Sequence, residues 1–255
     1  MADLLVIVPA LNEEGAIAAV VADTRLALSA EVVVVDDGST DGTAAAARAA
    51  GAVVLRHPFN LGVGAAVRTG LRYAVENGYE TVLQLDGDGQ HDPKEAMLLL
   101  RRLEQADVDV VVGSRFEFGY ALALPRRAVM RFLSSIVSRR LGTRITDTTS
   151  GFRAFGGPAV EYFSRVYPSD YLSDTVEALL LAADAGLRVA EIPIHMRRRE
   201  TGTASTNPIT ATFHVLRLLL VVAAHRGHRE APPAPTASPA RSAASASSVS
   251  SAGPG

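Results

Sequence analysis

The first half of the chain alternates between short apolar runs and longer segments that begin with helix-start signals. Apolar runs bounded by turn residues predict five strands, at 4–8, 32–35, 53–55, 81–85 and 108–112. The segments between them predict helices that end near residues 28, 50, 77 and 105. Strands that are apolar at successive positions are typical of a parallel sheet with helices on both faces. The pattern therefore predicts an α/β fold with a mostly parallel central sheet.

Charged and polar side chains follow four of these five strands. In chain order they are Glu13, which follows the strand end at Pro9, then Asp36 with Asp37, Asp86 with Asp88, and Arg115. Ligands of such sheets bind beyond the carboxyl ends of the strands, so these side chains are expected to share one site. Taken singly, each acid also fits a turn or a helix start. Asn12, for example, is predicted to cap the first helix.

The segment 83–91 ends a predicted strand in two carboxylates, Asp86 and Asp88, each followed by glycine. Alternate residues of a strand point to the same side, which lets both carboxylates face one point. Two hard oxygen ligands in an open loop suit Mg²⁺ or Mn²⁺ that carries phosphate oxygens as its other ligands. An ordinary Asp-rich turn is the alternative interpretation of this segment alone.

The sequence lacks the motifs of several common binding and catalytic sites. Gly62 and Gly64 lack the third glycine of a dinucleotide-binding loop and do not follow the first strand, so they are interpreted as close-packing positions. No GxxxxGK[ST] phosphate loop occurs. A net charge of −2 and a pI of about 6.3 give no basic field for nucleic acid. The absence of cysteine excludes disulfides and thiolate chemistry.

The second half of the chain is less regular. Basic residues interleave with apolar ones over 126–140, a pattern typical either of a helix on an anionic membrane surface or of a core-packed helix with solvated arginines. Asp174 and Glu177 share a helix face at i, i+3 spacing. A strand-like run is predicted after Pro193. Neither a signal peptide nor an apolar stretch of roughly 20 residues that would span a membrane is predicted.

Seven segments resemble the family 2 glycosyltransferases of GT-A fold, and within them the dolichyl- and polyprenyl-phosphate sugar synthases. These segments are VIVPALNEEG at 6–15, VVDDGSTDGT at 34–43, NLGVGAAVRTG at 60–70, LQLDGDGQHDP at 83–93, GSR at 113–115, DTTSGFRAF at 147–155 and GLRVAEIPIHMRRR at 186–199. They occur in family order. The resemblance implies a glycosyltransferase domain over residues 1–206. We expect an amphipathic helix over 207–228 and a disordered Ala/Ser/Pro-rich tail over 229–255.

The resemblance also implies roles for individual positions. The residues that it implies bind the nucleotide-sugar are Pro9, Leu11, Glu13, Val35, Asp37, Leu85, Asp86, Gly87, Arg115 and Arg199. The residues that it implies bind the metal, Mg²⁺ or Mn²⁺, are Asp86 and Asp88, with Gln90 as a further ligand. Arg126 and Arg127 would meet the acceptor phosphate. The chain departs from the branch at Ser205, where a lysine usually follows the arginine that matches Arg199.

The expected reaction is metal-dependent, inverting transfer of a sugar from a nucleotide-diphosphate donor, with Asp88 and Arg115 as catalytic residues. The preferred acceptor is a polyprenyl phosphate at the cytoplasmic membrane face, where the protein is expected to bind peripherally. A sugar or lipid-linked hydroxyl is the alternative acceptor, and it needs Asp174 or Glu177 as base. A nucleotide-sugar binding protein without turnover is a further alternative. A nucleotidyltransferase would need a basic phosphate loop early in the chain, where 9–15 has only acids.

Overall fold

The computed structural model describes residues 4–105, 107–116, 124–169 and 174–197. Its strands are β1 (Leu4–Ala10), β2 (Glu31–Asp36), β3 (Val53–Arg56), β4 (Thr81–Gln84), β5 (Val110–Ser114), β6 (Arg153–Phe155) and β7 (Val189–Pro193). Its helices are α1 (Ile17–Leu28), α2 (Thr43–Ala49), α3 (Val63–Glu76), α4 (Ala96–Leu103), α5 (Leu124–Leu141), α6 (Gly157–Val166) and α7 (Asp174–Asp184). Within these ranges, no helix is long and apolar enough to cross a membrane.

The strands form one sheet in the order β3-β2-β1-β4-β6-β5-β7. β1 pairs parallel with β2 and β4, β2 with β3, and β5 with β7. β6 is antiparallel to both of its neighbours, β4 and β5. Six strands therefore share one direction, which confirms the predicted, mostly parallel α/β sheet.

Both faces of the sheet are buried, as the unbroken apolar strands require. Along β1, Leu5 and Ile7 pack with α3, α6, α7 and α5, whereas Val6 and Val8 pack with α1 and α4. Every residue of β1 is buried. Each fully buried Val, Leu or Ile contributes about 1.5–3 kcal/mol, so the two layers supply the main stabilisation of the sheet.

The reversed strand β6 determines which loops meet at the functional edge. The carboxyl ends of β1, β2, β4 and β5 lie at one edge because these strands run the same way. β6 runs the opposite way, so its first residue, Arg153, lies at that same edge. The loop 147–152, which precedes β6, therefore joins the ends of the parallel strands.

Two local predictions from the sequence are wrong, and one helix was missed. Asn12 does not cap α1, because it adopts a left-handed conformation (φ 55°) and α1 begins at Ile17. The side chain of Asn12 instead accepts a hydrogen bond from the backbone N–H of Thr40 at 2.9 Å. The strand near Pro193 ends at that residue, as β7, and in the few described residues beyond it the isolated bridge of Met196 with His91 is the only strand-like pairing. Helix α6 was not predicted.

The predicted C-terminal helix over 207–228 and the tail over 229–255 lie outside the described residues. So do Arg199 and Ser205. For Arg126 and Arg127 the structure gives the helical backbone of α5 but not the side-chain environment. The roles expected of these positions stay predictions.

Candidate active site

The turn after β4 presents two carboxylates at the functional edge. The side chain of Asp86 is 41% exposed and that of Asp88 is half-buried. The backbone N–H of Gln90 donates to Asp88 Oδ1 at 3.0 Å, which closes the turn. Gln90 also accepts a hydrogen bond from the backbone N–H of Arg197 through its carbonyl oxygen, at 2.9 Å. The segment that follows β7 is thereby attached directly to the acidic turn.

His91 is a buried member of this turn that the sequence analysis assigned no role. Its Nδ1 accepts the backbone N–H of Asp86 at 3.1 Å, and its ring stacks on Phe152 with centroids 4.8 Å apart. Burial lowers the pKa of His91, and the nearby Asp86 and Asp88 only partly offset this. A neutral imidazole with its proton on Nε2 follows. Nε2 lies 3.7 Å from Asp86 Oδ2, so the ring faces that carboxylate.

Two glycines allow the close approach of chain segments around Asp86. A Cβ on Gly151 would lie 2.6 Å from Asp86 Oδ1, nearer than real Cβ contacts come. A Cβ on Gly87 would lie 3.2 Å from the carbonyl oxygen of Pro9. A side chain at Gly151 would push the Asp86 carboxylate aside. The absence of a side chain at Gly151 therefore leaves the Asp86 carboxylate room for its observed position.

Asp37 acts as a clamp on the loop between β3 and α3. Its carboxylate is buried and accepts hydrogen bonds from His57 Nδ1 at 2.7 Å, from the N–H of Leu61 at 2.9 Å and from the N–H of Gly62 at 2.8 Å. His57 Nε2 in turn lies 2.9 Å from Thr69 Oγ1. Such networks rigidify the site that they frame. The expected contact of Asp37 with the base or ribose stays a prediction.

Arg115 projects from the end of β5, but its hydrogen-bonding fork is directed at Asp147. Nε lies 2.7 Å from Asp147 Oδ2 and Nη2 lies 3.0 Å from Oδ1. Burial raises the pKa of Asp147, but the hydrogen bonds and charge of Arg115 outweigh it, and the net pKa is below the ordinary value. The forked pairing expected between Arg115 and a phosphate is therefore made with a protein carboxylate. A phosphate contact by the rest of the guanidinium stays a prediction.

Asp147 is itself held by β7. Glu191 accepts hydrogen bonds from the N–H of Thr146 at 2.6 Å and from the N–H of Asp147 at 2.9 Å. This chain of contacts links β7 to the 147–152 loop and then to Arg115. These protein contacts orient the Arg115 side chain.

Asp174 begins α7 and is almost fully buried, with 2% of its surface exposed. Burial raises its pKa to about 6, although Arg153 lowers it, and nearby Asp86 raises it further. Gly64 lets α3 approach this residue, because a Cβ there would overlap the carbonyl oxygen of Pro168 and lie 3.0 Å from Asp174 Cβ. The predicted close-packing role of Gly64 is confirmed. Glu177, the other acid predicted on this helix, lies in the same first turn and is half-buried.

The remaining predicted residues differ in how far they are accessible. Pro9 and Val35 are buried in β1 and β2, and Leu85 is buried directly after β4. Leu11 is exposed at the end of β1. The backbone N–H of Glu13 donates to Thr43 Oγ1 at 2.8 Å, which joins the first loop to α2. All five lie at the same edge as Asp86, as the sequence predicted.

Sequence reasoning missed five residues of this site: His57, His91, Asp147, Gly151 and Arg153. Arg153 carried a detectable signal, because an arginine stands between Phe152 and Phe155 in a strand-like segment. The pairings of Asp37 with His57 and of Arg115 with Asp147 had no local signal, because the partners lie 20 and 32 residues apart along the chain.

The residues at the edge fit a divalent cation bound together with a phosphate-bearing ligand. In the part of the chain that the structure describes, no three acidic or histidine side chains are close enough to hold a metal by themselves. Asp86 and Asp88 are hard oxygen donors beside open space, which matches a cation that completes its coordination with phosphate and water. Gln90 as a third ligand stays a prediction.

Comparison with known proteins identifies the family. Residues 5–162 match the model of the family described as glycosyl transferase family 2. Polyprenol monophosphomannose synthase of Mycolicibacterium smegmatis is 32% identical over 212 residues, which are 78% of this chain and 79% of that protein. A UDP-N-acetylglucosamine–dolichyl-phosphate N-acetylglucosaminyltransferase of Methanococcus voltae is 29% identical over 245 residues, 87% of this chain and 97% of that protein.

Solved structures support the fold. Glucosyl-3-phosphoglycerate synthase from Mycobacterium tuberculosis, in complex with Mn²⁺, uridine diphosphate and phosphoglyceric acid, superimposes with a TM-score of 0.67. The sequence identity is 20%, and the match covers 91% of this chain and 80% of that chain. This likeness shows a shared GT-A-type fold. Together with the family model that matches residues 5–162, it shows that the chain belongs to glycosyl transferase family 2.

Proposed function

We propose that this glycosyltransferase moves a sugar, with inversion, from a nucleotide-diphosphate donor to a polyprenyl phosphate. The observation that carries the proposal is the similarity to polyprenol monophosphomannose synthase along 78% of the chain, with Asp86 and Asp88 in place at the functional edge. The M. voltae relative, named for a dolichyl-phosphate acceptor, supports the same acceptor class.

The burial of Asp174 favours a phosphate acceptor over a hydroxyl. A hydroxyl acceptor needs a base within hydrogen-bond reach of its proton. Asp174, one of the two candidates, is 2% exposed and lies beside the buried cation Arg153. A phosphate monoester is already anionic at neutral pH, so it attacks without a base. The hydroxyl alternative therefore depends on Glu177.

The chain's own groups supply binding and orientation in this proposal. Asp86 and Asp88 would hold Mg²⁺ or Mn²⁺ on the donor diphosphate, and the bound cation would offset negative charge on the departing nucleotide. The Asp147 pairing fixes Arg115 beside this turn. Asp37 keeps the loop before α3 closed against β2. A preformed site of this kind lowers the barrier through positioning, because the groups need no rearrangement.

We place the reaction at the cytoplasmic face of a membrane, with the protein bound peripherally. Helix α5 carries the exposed residues Arg131 and Arg139 together with Phe132, which is 52% exposed. Exposed aromatic and basic residues on one helix suit an anionic lipid surface. A lipid-phosphate acceptor would be presented at such a surface.

A donor and acceptor panel tests the proposal. Purified protein with Mn²⁺ is incubated with radiolabelled UDP-, GDP- and dTDP-sugars and either polyprenyl phosphate or the matching polyprenol. We expect label to enter an organic-extractable, mild-acid-labile product with the phosphate and not with the alcohol. Label that enters only water-soluble glycans would reject the lipid-phosphate acceptor. Label in no product, with nucleotide binding intact, would indicate a binding protein without turnover.

Glu177→Gln separates the two acceptor mechanisms. With a phosphate acceptor, lipid transfer is expected to stay within about threefold of wild type, because a general base typically contributes 10²–10⁴-fold and none is needed. The same panel measures this variant. A fall in the transfer rate of about 100-fold or more, as expected when a general base is removed, would favour the hydroxyl mechanism.

Gly151→Ala is expected to weaken metal binding without unfolding the protein. The new Cβ would lie 2.6 Å from Asp86 Oδ1, and the partly exposed carboxylate can rotate towards solvent to relieve the overlap. Displacement of one ligand should raise the Mn²⁺ concentration for half-maximal transfer about tenfold. Gly157→Ala is the matched control, since its Cβ would only touch Glu80 at 3.9 Å. Equal Mn²⁺ dependence in both variants would contradict the role of Gly151.

A further inference from the structure

Arg153 is a fully buried arginine at the centre of the functional edge. It is the first residue of β6, where it pairs with Gln84 of β4 and Val112 of β5, and 1% of its surface is exposed. A buried cation needs partners, because its removal from water costs several kcal/mol. The surroundings of Arg153 therefore have to account for its position.

Its guanidinium donates to the carbonyl oxygens of two chain segments. Nε donates to the carbonyl of Ser150 at 2.9 Å, and Nη2 donates to the carbonyl of Thr175 at 3.0 Å. Ser150 lies in the 147–152 loop, and Thr175 lies in the first turn of α7. Hydrogen bonds from a charged donor are roughly twice as strong as neutral ones. One side chain thus joins the loop to the helix.

Both of these segments contact the acids of the site. Gly151, which follows Ser150, abuts the Asp86 carboxylate. Asp174, which precedes Thr175, is buried near both Arg153 and Asp86. The positive charge of Arg153 therefore stabilises the Asp174 carboxylate, which Asp86 repels. Without it, the repulsion between the buried carboxylate of Asp174 and the partly exposed carboxylate of Asp86 would be less well offset.

We propose that Arg153 is a positioning residue that holds the 147–152 loop and the first turn of α7 in a fixed relation to Asp86. This inference rests on the proposed transferase reaction for its kinetic readout. Arg153 itself touches neither donor nor acceptor, since it is buried beneath the edge. Its loss should alter how the reacting groups are oriented, and so lower kcat more than it weakens nucleotide binding.

Arg153→Met and Arg153→Lys test the proposal, with Phe155→Leu as the matched control. Methionine removes the charge and both donors, whereas lysine keeps the charge. Phe155 lies two residues along on the same strand and face and packs against Phe163 and Tyr167, so its truncation weakens the same core without removing a charge or a hydrogen-bond donor. All measurements are made at least 15 °C below the melting temperature of each variant.

Three measurements compare the variants. They are the kinetics of lipid transfer (kcat and KM), the Kd of UDP and of GDP in the presence of Mn²⁺, and amide hydrogen exchange. For Arg153→Met we expect kcat to fall about 30-fold or more, while the Kd changes about threefold or less. Arg153→Lys should recover part of kcat. Exchange should accelerate at 148–152 and 174–178 in Arg153→Met but not in Phe155→Leu.

The outcomes separate this inference from the proposed function. If folded Arg153 variants keep wild-type kcat and exchange, or Phe155→Leu loses as much kcat, the positioning role is wrong. If Arg153→Met does not fold, Arg153→Lys decides by the same comparison. If the wild-type protein transfers no sugar, the proposed function fails, and local exchange at 148–152 and 174–178 still supports or overturns the positioning role.

Discussion

Asp88→Asn is expected to lower the rate of sugar transfer about 10³-fold, the upper part of the range for loss of one charge-stabilising group. The substitution removes a negative charge from the proposed metal site. It keeps an oxygen at the Oδ1 position, which accepts the N–H of Gln90 at 3.0 Å, so the turn should retain its shape. We therefore expect an intact fold, with the loss confined to metal-dependent binding and turnover.

Transfer assays over a Mn²⁺ series, with calorimetric titration of UDP and GDP, measure this effect. Asp107→Asn is the matched control, because Asp107 is exposed and pairs with Arg102 away from the functional edge. EDTA should abolish wild-type transfer, and Mn²⁺ or Mg²⁺ should restore it. Wild-type rates in Asp88→Asn, or full transfer in EDTA, would show that the metal assignment is wrong.

The sequence was sufficient to predict the parallel strands and the edge at which their polar residues meet. Its signals are local, because a strand that is buried on both faces is apolar at every position, as in β1 and β2. The placement of Glu13, Asp37, Asp86 and Arg115 at one edge follows from strand direction alone. For this reason the position of Asp86 and Asp88 at that edge was predicted without any knowledge of the three-dimensional contacts, whereas their role as metal ligands stays a prediction.

The direction of β6 could not be predicted from the sequence. A three-residue strand carries no signal for parallel or antiparallel pairing, yet its reversal brings Asp147, Gly151 and Arg153 to the functional edge. The partner of Arg115 was missed for the same reason. An arginine after a strand suggests a contact with phosphate. Only the folded structure shows that Nε and Nη2 of Arg115 donate to Asp147 instead.

Asp174→Asn is expected to stabilise the protein at neutral and alkaline pH. Burial raises the pKa of this carboxyl to about 6, against an ordinary value near 3.8, so the folded state binds its proton more tightly than the unfolded chain does. The resulting destabilisation is absent below about pH 4, grows as the pH rises towards 6 and is complete above it. About two pKa units at 1.36 kcal/mol each correspond to about 3 kcal/mol. Asparagine resembles the neutral acid and avoids this cost.

The measurement is the free energy of unfolding in urea from pH 4 to pH 8, for wild type, Asp174→Asn and Asp184→Asn. Asp184 is the matched control, because it lies at the other end of α7 and pairs with Arg140 at 3.0 Å. We expect Asp174→Asn to gain stability over wild type as the pH rises and Asp184→Asn to gain none. A variant less stable than wild type at pH 8 would show that ionised Asp174 stabilises the fold.

Lipid transfer by Asp174→Asn completes the prediction. With a phosphate acceptor, the rate should stay within about tenfold of wild type, below the 10²–10⁴-fold loss expected when a general base is removed. A stabilised variant that has lost transfer by 10³-fold would identify Asp174 as the base for a hydroxyl acceptor. Greater stability with retained transfer would instead show that transfer does not need the Asp174 carboxylate, in agreement with its burial.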